Sequence, residues 1–189
     1  IEMAARFVNR VYERYVPILD SREYPVLGAP TINIGTINGG DQPSTVPDLC
    51  EIVLDRRMVP SETIDQVYDE LREIGEQLHR EDERFCCEVK STFDGLDLLP
   101  HLPFLTDEED PVFEAAKKVY SRRGKEIVIE PFPAWTDAGF IANGTNASCL
   151  IIGPGELGVA HSVHEYIEIK QMKEAAEIYA EMAVEYCGR

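Results

Sequence analysis

The sequence has few basic residues. Its 189 positions carry 18 Lys and Arg against 35 Asp and Glu, which gives a formal net charge of −17. Nucleic acids and anionic lipid surfaces are bound by basic patches, so this balance argues against both kinds of partner. The sequence also lacks any apolar run near the roughly 20 residues that a membrane-spanning helix needs. We therefore expect neither nucleic acid nor membrane as a partner.

The sequence has no Cys-x-x-Cys pair and no even cysteine framework. Its five cysteines are Cys50, Cys86, Cys87, Cys149 and Cys187, and four of them fall in apolar runs typical of strands or helices. Disulfide-rich secreted domains and zinc knuckles need paired spacings that are absent here. We expect buried free thiols and a reducing, cytoplasmic location.

Apolar spacing in the first half predicts five elements. They are a helix over about residues 2–16, a strand at Thr31–Ile37, a strand at Leu49–Arg57, a helix that Ser61 caps and that runs through Leu78, and a strand at Phe85–Thr92. The helices show apolar residues three and four apart, and the first strand alternates. This order matches a ferredoxin-like βαββαβ unit without its first strand.

The second half alternates helix and strand, as one flank of an α/β sheet does. Asp110-Pro111 is a good helix start, and Gly124 is a good stop. Short strands are expected at Glu126–Glu130 and Cys149–Ile152, followed by a closing helix with an apolar stripe from Ile169 to Tyr186. The proline- and acid-rich segment 100–110 predicts a boundary between two domains, residues 1–99 and 100–189.

A set of short motifs follows in a fixed order along the chain. They are Gly39-Gly40, Ser44 to Pro47, Asp55-x-Arg57, Thr136-Asp137, Gly153-Pro154-Gly155, and His161 ahead of His164-Glu165. In α/β sheets, loops that leave the carboxyl ends of strands carry ligands. His161 lies in such a loop, although a lone histidine in a loop is more often a surface residue.

In this order and spacing the motifs resemble the metallopeptidase superfamily of aminoacylase, acetylornithine deacetylase, succinyl-diaminopimelate desuccinylase and glutamate carboxypeptidase. The resemblance covers essentially the whole chain. It implies an incomplete lid or dimerisation domain over residues 1–99 and the C-terminal portion of a catalytic domain over residues 100–189. The family's His-x-Asp is absent from this sequence. We therefore expect the chain to be the C-terminal part of a longer enzyme.

The resemblance also implies a metal site. His161 corresponds to a ligand of one of two zinc ions, with cobalt or manganese as possible replacements. Glu165 and Asp137 correspond to second-shell residues that support the loops, although Glu165 is equally well interpreted as a solvated carboxylate. His164 stands where the family has Asn or Asp, and we do not assign it as a ligand.

Four further residues correspond to substrate-binding positions: Arg57, Ser44, Thr136 and Gly153. A guanidinium binds a carboxylate with two parallel hydrogen bonds, so Arg57 is the candidate for the α-carboxylate of an amino acid. The alternative is that Arg57 is structural and pairs with Asp55. Ser44 stands where the family has Asn, and this departure weakens its assignment.

Two functions follow as expectations. The first is a dinuclear-metal hydrolase that cleaves an amide bond of an N-acyl amino acid or small peptide with a metal-activated water, as a homodimer through the lid. The second is that this chain, as it stands, is a non-catalytic dimerisation and substrate-binding module. The second has a physical basis, because a catalytic zinc takes three protein ligands and a water.

Overall fold

A computed structural model describes residues 1–92, 100–132, 134–145 and 147–188. The chain forms two compact units, Ile1–Pro103 and Phe104–Arg189. The first unit contains α1 (Glu2–Arg10), a π-helical turn (Val11–Tyr15), α2 (Val16–Asp20), β1 (Thr31–Gly39), β2 (Cys50–Arg57) and α3 (Ile64–Glu81). The second contains α4 (Pro111–Arg122), α5 (Ala138–Gly144), a 3₁₀ turn (Leu157–Val159) and α6 (Ile169–Cys187).

The first helical segment is longer than predicted. Pro17 was expected to end it, but the chain stays helical through α2 to Asp20. Proline lacks a backbone N–H and is tolerated in the first turn of a helix. The π-helical turn ends at Tyr15, so α2 begins afresh at Val16 and places Pro17 in its first turn.

The two predicted strands pair into an antiparallel hairpin, as expected. Thr31 lies opposite Arg57 and Gly39 opposite Cys50, with an irregularity between Ile34 and Thr36. One face of the hairpin packs on the helices through four aliphatic side chains, which are Ile32, Ile34, Ile52 and Leu54. The other face carries polar residues, among them Asp55 and Arg57.

The core of the first unit lies between α3 and the first helical segment. Thr63, and not Ser61, caps α3: its side-chain oxygen accepts a hydrogen bond from the Gln66 amide at 3.2 Å. The buried cluster consists of Phe7, Val11, Tyr15, Leu19, Val67, Leu71, Ile74, Leu78 and Phe85. Full burial of one large apolar side chain contributes roughly 1.5–3 kcal/mol, so this cluster supplies most of the unit's stabilisation.

The expected third strand, Phe85–Thr92, has no β-pairing partner in the described part of the chain. Two of its apolar side chains nevertheless pack on the first unit. Phe85 is buried, Val89 contacts the core cluster, and a methyl group added at Gly75 would collide with Cys87 Sγ. A strand is defined by backbone pairing with a neighbour, and apolar side chains alone do not provide it.

The second unit is built on the contact between α4 and α6. Asp110 caps α4 as predicted, because its Oδ1 accepts a hydrogen bond from the Val112 amide at 2.9 Å. The buried residues are Phe113, Ala115, Ala116, Val119, Ala175 and Ile178. The predicted strands at 126–130 and 149–152 show no β-pairing among the described residues.

The apolar stripe predicted for α6 is not its buried side. Ile169, Met172, Tyr179 and Tyr186 are exposed, and α6 instead turns Ala175 and Ile178 toward α4. Ion pairs flank this contact. Arg123 binds Glu181 at 2.6 Å and Glu177 at 3.1 Å, and Lys125 binds Glu174 at 2.6 Å.

The expectation of buried free thiols is met in part. All five cysteines are free thiols, but none is buried: Cys50 and Cys149 are half-buried and the other three are exposed. A search of the described residues finds no helix with the length and apolar character to cross a membrane.

A network of two arginines, two glutamates and a tyrosine joins the elements of the first unit. Glu62 Oε1 accepts hydrogen bonds from Arg56 at 2.5 Å and Arg22 at 3.0 Å. Arg22 also donates to Glu70 at 3.0 Å, and the Tyr15 hydroxyl donates to Glu70 at 2.7 Å. The side chains of Arg56 and Glu62 are only 5% and 2% exposed. Sequence periodicity gave no indication of this network.

The network changes the acidity of its members. Burial raises the pKa of Glu70, but hydrogen bonds from Arg22, Tyr15 and Gln66 together outweigh burial and bring that pKa from 4.5 down to about 2. Because the folded value lies below the unfolded value, the resulting stabilisation is complete above about pH 4.5 and is lost as the pH falls toward 2. Burial is the main cause that raises the pKa of Tyr15 to about 12.

We predict that Glu62→Ala lowers the free energy of unfolding of the first unit by about 3–5 kcal/mol, because it leaves two arginines facing a buried site without their carboxylate. Urea denaturation followed by circular dichroism measures this. The matched control is Asp69→Ala, which removes the exposed ion pair between Asp69 and Arg72 (3.0 Å), both of which lie on α3. It should cost about 1 kcal/mol or less. Equal losses for the two variants would contradict the structural role of Glu62.

Candidate functional site

The candidate residues are divided between the two units. Ser44 and Arg57 belong to the first unit, and Thr136, Asp137, Gly153, His161 and Glu165 belong to the second.

Arg57 ends β2 on the face of the hairpin that points away from the core. Its Nε donates to Asp55 Oδ2 at 3.2 Å, and the two side chains are 60% and 63% exposed. Two residues apart on a strand, they share one face. An exposed pair of this kind is worth at most about 1 kcal/mol, so a substrate carboxylate can compete with Asp55 for the guanidinium.

Ser44 lies in the exposed loop between β1 and β2. It is part of a turn in which the Thr45 backbone amide donates a hydrogen bond to the Gln42 carbonyl at 3.2 Å. The strand register places this loop beyond Cys50, at the opposite end of the hairpin from Arg57. Seven residue steps along a strand span roughly 23 Å. Within one protomer, Ser44 and Arg57 therefore do not contact the same small substrate together.

Thr136 and Asp137 lie at the start of α5. Thr136 is half-buried, and its hydroxyl oxygen accepts a hydrogen bond from the Ala138 amide at 3.2 Å. This hydrogen bond holds the Thr136 hydroxyl oxygen in place, and the hydroxyl group can still donate its own proton to a ligand. Asp137 is exposed and does not cap the helix with its side chain. Trp135 packs edge-on against Phe140, with ring centroids 4.9 Å apart.

Side chains hold the segment that leads into the Gly153-Pro154-Gly155 loop. The Thr106 hydroxyl donates to the Cys149 carbonyl, and the Tyr179 hydroxyl donates to the Ile152 carbonyl at 2.7 Å. Gly155 has a φ of +94°, which favours glycine. Gly153 lines an open cleft with polar walls formed by Tyr120, Lys125, Gln171 and Glu174.

His161 lies in an exposed loop after the 3₁₀ turn, with a φ of +60°. Its backbone amide donates to Glu165 Oε2 at 2.9 Å. The Ser162 hydroxyl oxygen accepts from the His164 amide at 3.1 Å. The loop is thus held by its own hydrogen bonds.

The donor atoms present do not complete a zinc site. Across residues 1–92, 100–132, 134–145 and 147–188, no group of three or more His, Cys, Asp or Glu side chains lies close enough to hold a metal ion. Zinc in catalytic sites takes three protein ligands. His161 therefore offers one ligand position.

A known protein family matches most of the chain. The sequence profile described as Peptidase family M20/M25/M40 matches residues 20–185, which is most of the chain. The chain belongs to this family. Its relatives in the family include an N-formyl-4-amino-5-aminomethyl-2-methylpyrimidine deformylase from Bacillus subtilis (strain 168), 29% identical over 94% of this chain. They also include an acetylornithine deacetylase from Myxococcus xanthus, 24% identical over 84% of this chain.

The chain is shorter than these M20/M25/M40 relatives. It spans 43% of the length of the deformylase and 38% of that of the deacetylase. The chain also spans less than half the length of two similar solved structures. The aminopeptidase PepT from Bacillus cereus ATCC 10987 superimposes with a TM-score of 0.61 at 21% identity, over 92% of this chain and 45% of that one. The M20 family metallo-carboxypeptidase Sso-CP2 from Sulfolobus solfataricus gives 0.59 at 22% identity. These likenesses show the fold.

The sequence analysis missed the residues that hold the candidate loops. Thr106 and Tyr179 anchor the carbonyls of segment 149–152, and Asp110, besides capping α4, binds the Ser148 hydroxyl. The sequence does offer one indication for Tyr179. A tyrosine in the apolar stripe of a helix carries a hydroxyl group that usually forms a hydrogen bond with a neighbouring segment.

We predict that the 189-residue chain binds zinc weakly and does not hydrolyse N-acyl amino acids. The reason is the single ligand position at His161 among the described residues. Isothermal titration with zinc measures the affinity, and His161→Ala is the matched control for nonspecific binding to the acidic surface. Tight, stoichiometric binding that His161→Ala removes would contradict the prediction.

Proposed function

We propose that this chain supplies the lid and the C-terminal part of the catalytic domain of a metal-dependent amidohydrolase. The enzyme cleaves an amide bond of an N-acyl amino acid or small peptide with a metal-activated water. The observation that carries this proposal is the profile match over residues 20–185, a range that contains every candidate site residue. The names of the deacetylase and deformylase relatives support amide hydrolysis as the reaction class.

The proposal assigns a part to each unit. The first is a ferredoxin-like lid through which two protomers form a homodimer, and the second carries His161 as one ligand of a pair of zinc ions. Cobalt or manganese can replace zinc. The chain spans about two fifths of its curated relatives, and the remaining ligands are assigned to the part of the enzyme outside this sequence. The five free cysteines support a cytoplasmic location.

The substrate-binding part of the proposal rests on charge and exposure. Arg57 presents a guanidinium on an exposed strand face, where its Nε donates to Asp55 Oδ2 at 3.2 Å. Thr136 offers a hydroxyl proton from a fixed oxygen, and Gly153 lets ligand approach the backbone closely. Ser44, at the far end of the hairpin, has the weakest support. Asp137 and Glu165 support their loops.

A second function has an observation of its own. The described residues offer one metal ligand position, so this polypeptide alone suits a non-catalytic module for dimerisation and substrate binding. Equilibrium sedimentation and binding of an N-acyl amino acid to the 189-residue chain distinguish the two functions when combined with turnover assays of the longer enzyme.

We predict that His161→Ala in the longer enzyme removes one protein ligand and lowers metal content and turnover together. Metal content is measured by inductively coupled plasma mass spectrometry after dialysis. His164→Ala is the matched control, because it changes a histidine of the same loop that we do not assign as a ligand. Full activity with two bound metals in His161→Ala would overturn the assignment.

We predict that Arg57→Ala weakens substrate capture by about ten- to a hundredfold, since a charge-assisted hydrogen bond is worth about 1.5–3 kcal/mol. Arg57→Lys should recover part of the loss, because an ammonium lacks the planar fork. The loss in kcat/KM should be large for substrates with a free carboxylate and small for the matching amides.

Asp55→Asn separates this role from a structural one. It removes the negative partner of Arg57 and keeps the guanidinium. If Asp55→Asn reproduces the loss, or if Arg57→Ala affects acid and amide substrates equally, Arg57 is structural and the carboxylate is bound elsewhere.

A further inference from the structure

The backbone of His161 has an unusual conformation. Among the described residues other than glycine, only Val26 and His161 have a positive φ, 69° and 60°. Side chains with a Cβ atom disfavour this region, so such a conformation persists when surrounding contacts impose it. The conformation sets the direction in which the imidazole leaves the chain.

The contact that holds this conformation comes from four residues further along the loop. Glu165 Oε2 accepts a hydrogen bond from the His161 amide at 2.9 Å, and the Glu165 amide donates back to the Ser162 carbonyl at 3.2 Å. Ser162 fixes the middle of the loop, because its hydroxyl donates to the Val159 carbonyl at 2.7 Å. The segment from Val159 to Glu165 thus closes on itself.

We infer that Glu165 is a positioning residue that sets the direction of the His161 imidazole by binding the His161 backbone amide. This rests on the proposed function, in which His161 is a metal ligand. The usual support for a ligating histidine is an acceptor for its second ring nitrogen. Here the Glu165 carboxylate binds the backbone amide of His161 and not its imidazole ring. The contact therefore requires only an acceptor oxygen on the side chain at position 165. Glutamine at this position keeps an acceptor oxygen, whereas alanine removes it.

Amide hydrogen exchange of the 189-residue chain, followed by NMR, tests the contact directly. The His161 amide should exchange about ten- to a hundredfold faster in Glu165→Ala, as expected for loss of a charge-assisted hydrogen bond. Glu165→Gln should restore most of the protection. Glu168→Ala is the matched control, since Glu168 is an exposed acid three residues further on whose side chain makes no capping hydrogen bond to α6. This variant should leave the exchange rate of the His161 amide unchanged. An unchanged rate in Glu165→Ala would overturn the inference.

Zinc affinity of the longer enzyme, measured by competition with a chelator, tests the consequence. Glu165→Ala should weaken zinc binding by about 10–100-fold, the usual effect of losing a support of a ligand, with Glu165→Gln close to the unchanged protein. Equal loss in both variants would mean that the contact does not act through the acceptor oxygen, and the inference fails. If His161→Ala itself leaves zinc affinity unchanged, the proposed function fails, whatever the exchange data show.

Discussion

The carboxylate of Glu62 is the point on which the first unit depends. One oxygen binds Arg56 of β2 and Arg22 of the segment after α2, and the other accepts the Val59 amide at 3.1 Å just before α3. Burying a charge is costly unless it is paired and its lone pairs are satisfied, and here both conditions are met. Glu62 therefore connects β2 with the segment after α2 and with the segment that leads into α3.

This network also lies directly behind the proposed substrate arginine. Arg56 and Arg57 are adjacent, so they point to opposite faces of the hairpin. Arg56 is bound by Glu62 and also donates a hydrogen bond to the Arg57 carbonyl. The central carbon of its guanidinium lies 5.8 Å from the centroid of the Tyr15 ring. The backbone that presents Arg57 is thus fixed from the core side, while its guanidinium lies in solvent beside Asp55. A rigid base with an exposed charged end is what binding a small carboxylate requires.

The second unit uses side chains where backbone pairing was expected. Segment 149–152 has no β-partner among the described residues, and yet its carbonyls are bound by Thr106 and Tyr179. These contacts hold the segment that leads into the Gly153-Pro154-Gly155 loop, which lines a cleft together with Tyr120 of α4 and Gln171 of α6. The local hydrogen bonds of Ser162 and Glu165 shape the His161 loop. The Gly153-Pro154-Gly155 loop is therefore held by residues outside the motifs, whereas the His161 loop is held by residues within its own segment.

The sequence by itself determined the features that depend on local physics. Apolar spacing located α1, α3 and α6 and the β1–β2 hairpin, since helices and half-buried strands repeat with known periods. The Asp110-Pro111 start and the Gly124 stop located α4. Asp110 was identified as a cap because capping involves residues close in sequence. The ordered motifs gave the family. Tertiary structure alone decided what depends on distant contacts: the Arg22–Glu62–Arg56 network, and which face of α6 is buried. It also decided the separation of Ser44 from Arg57, which follows from strand register. None of these follows from periodicity, because each depends on which segments meet in space.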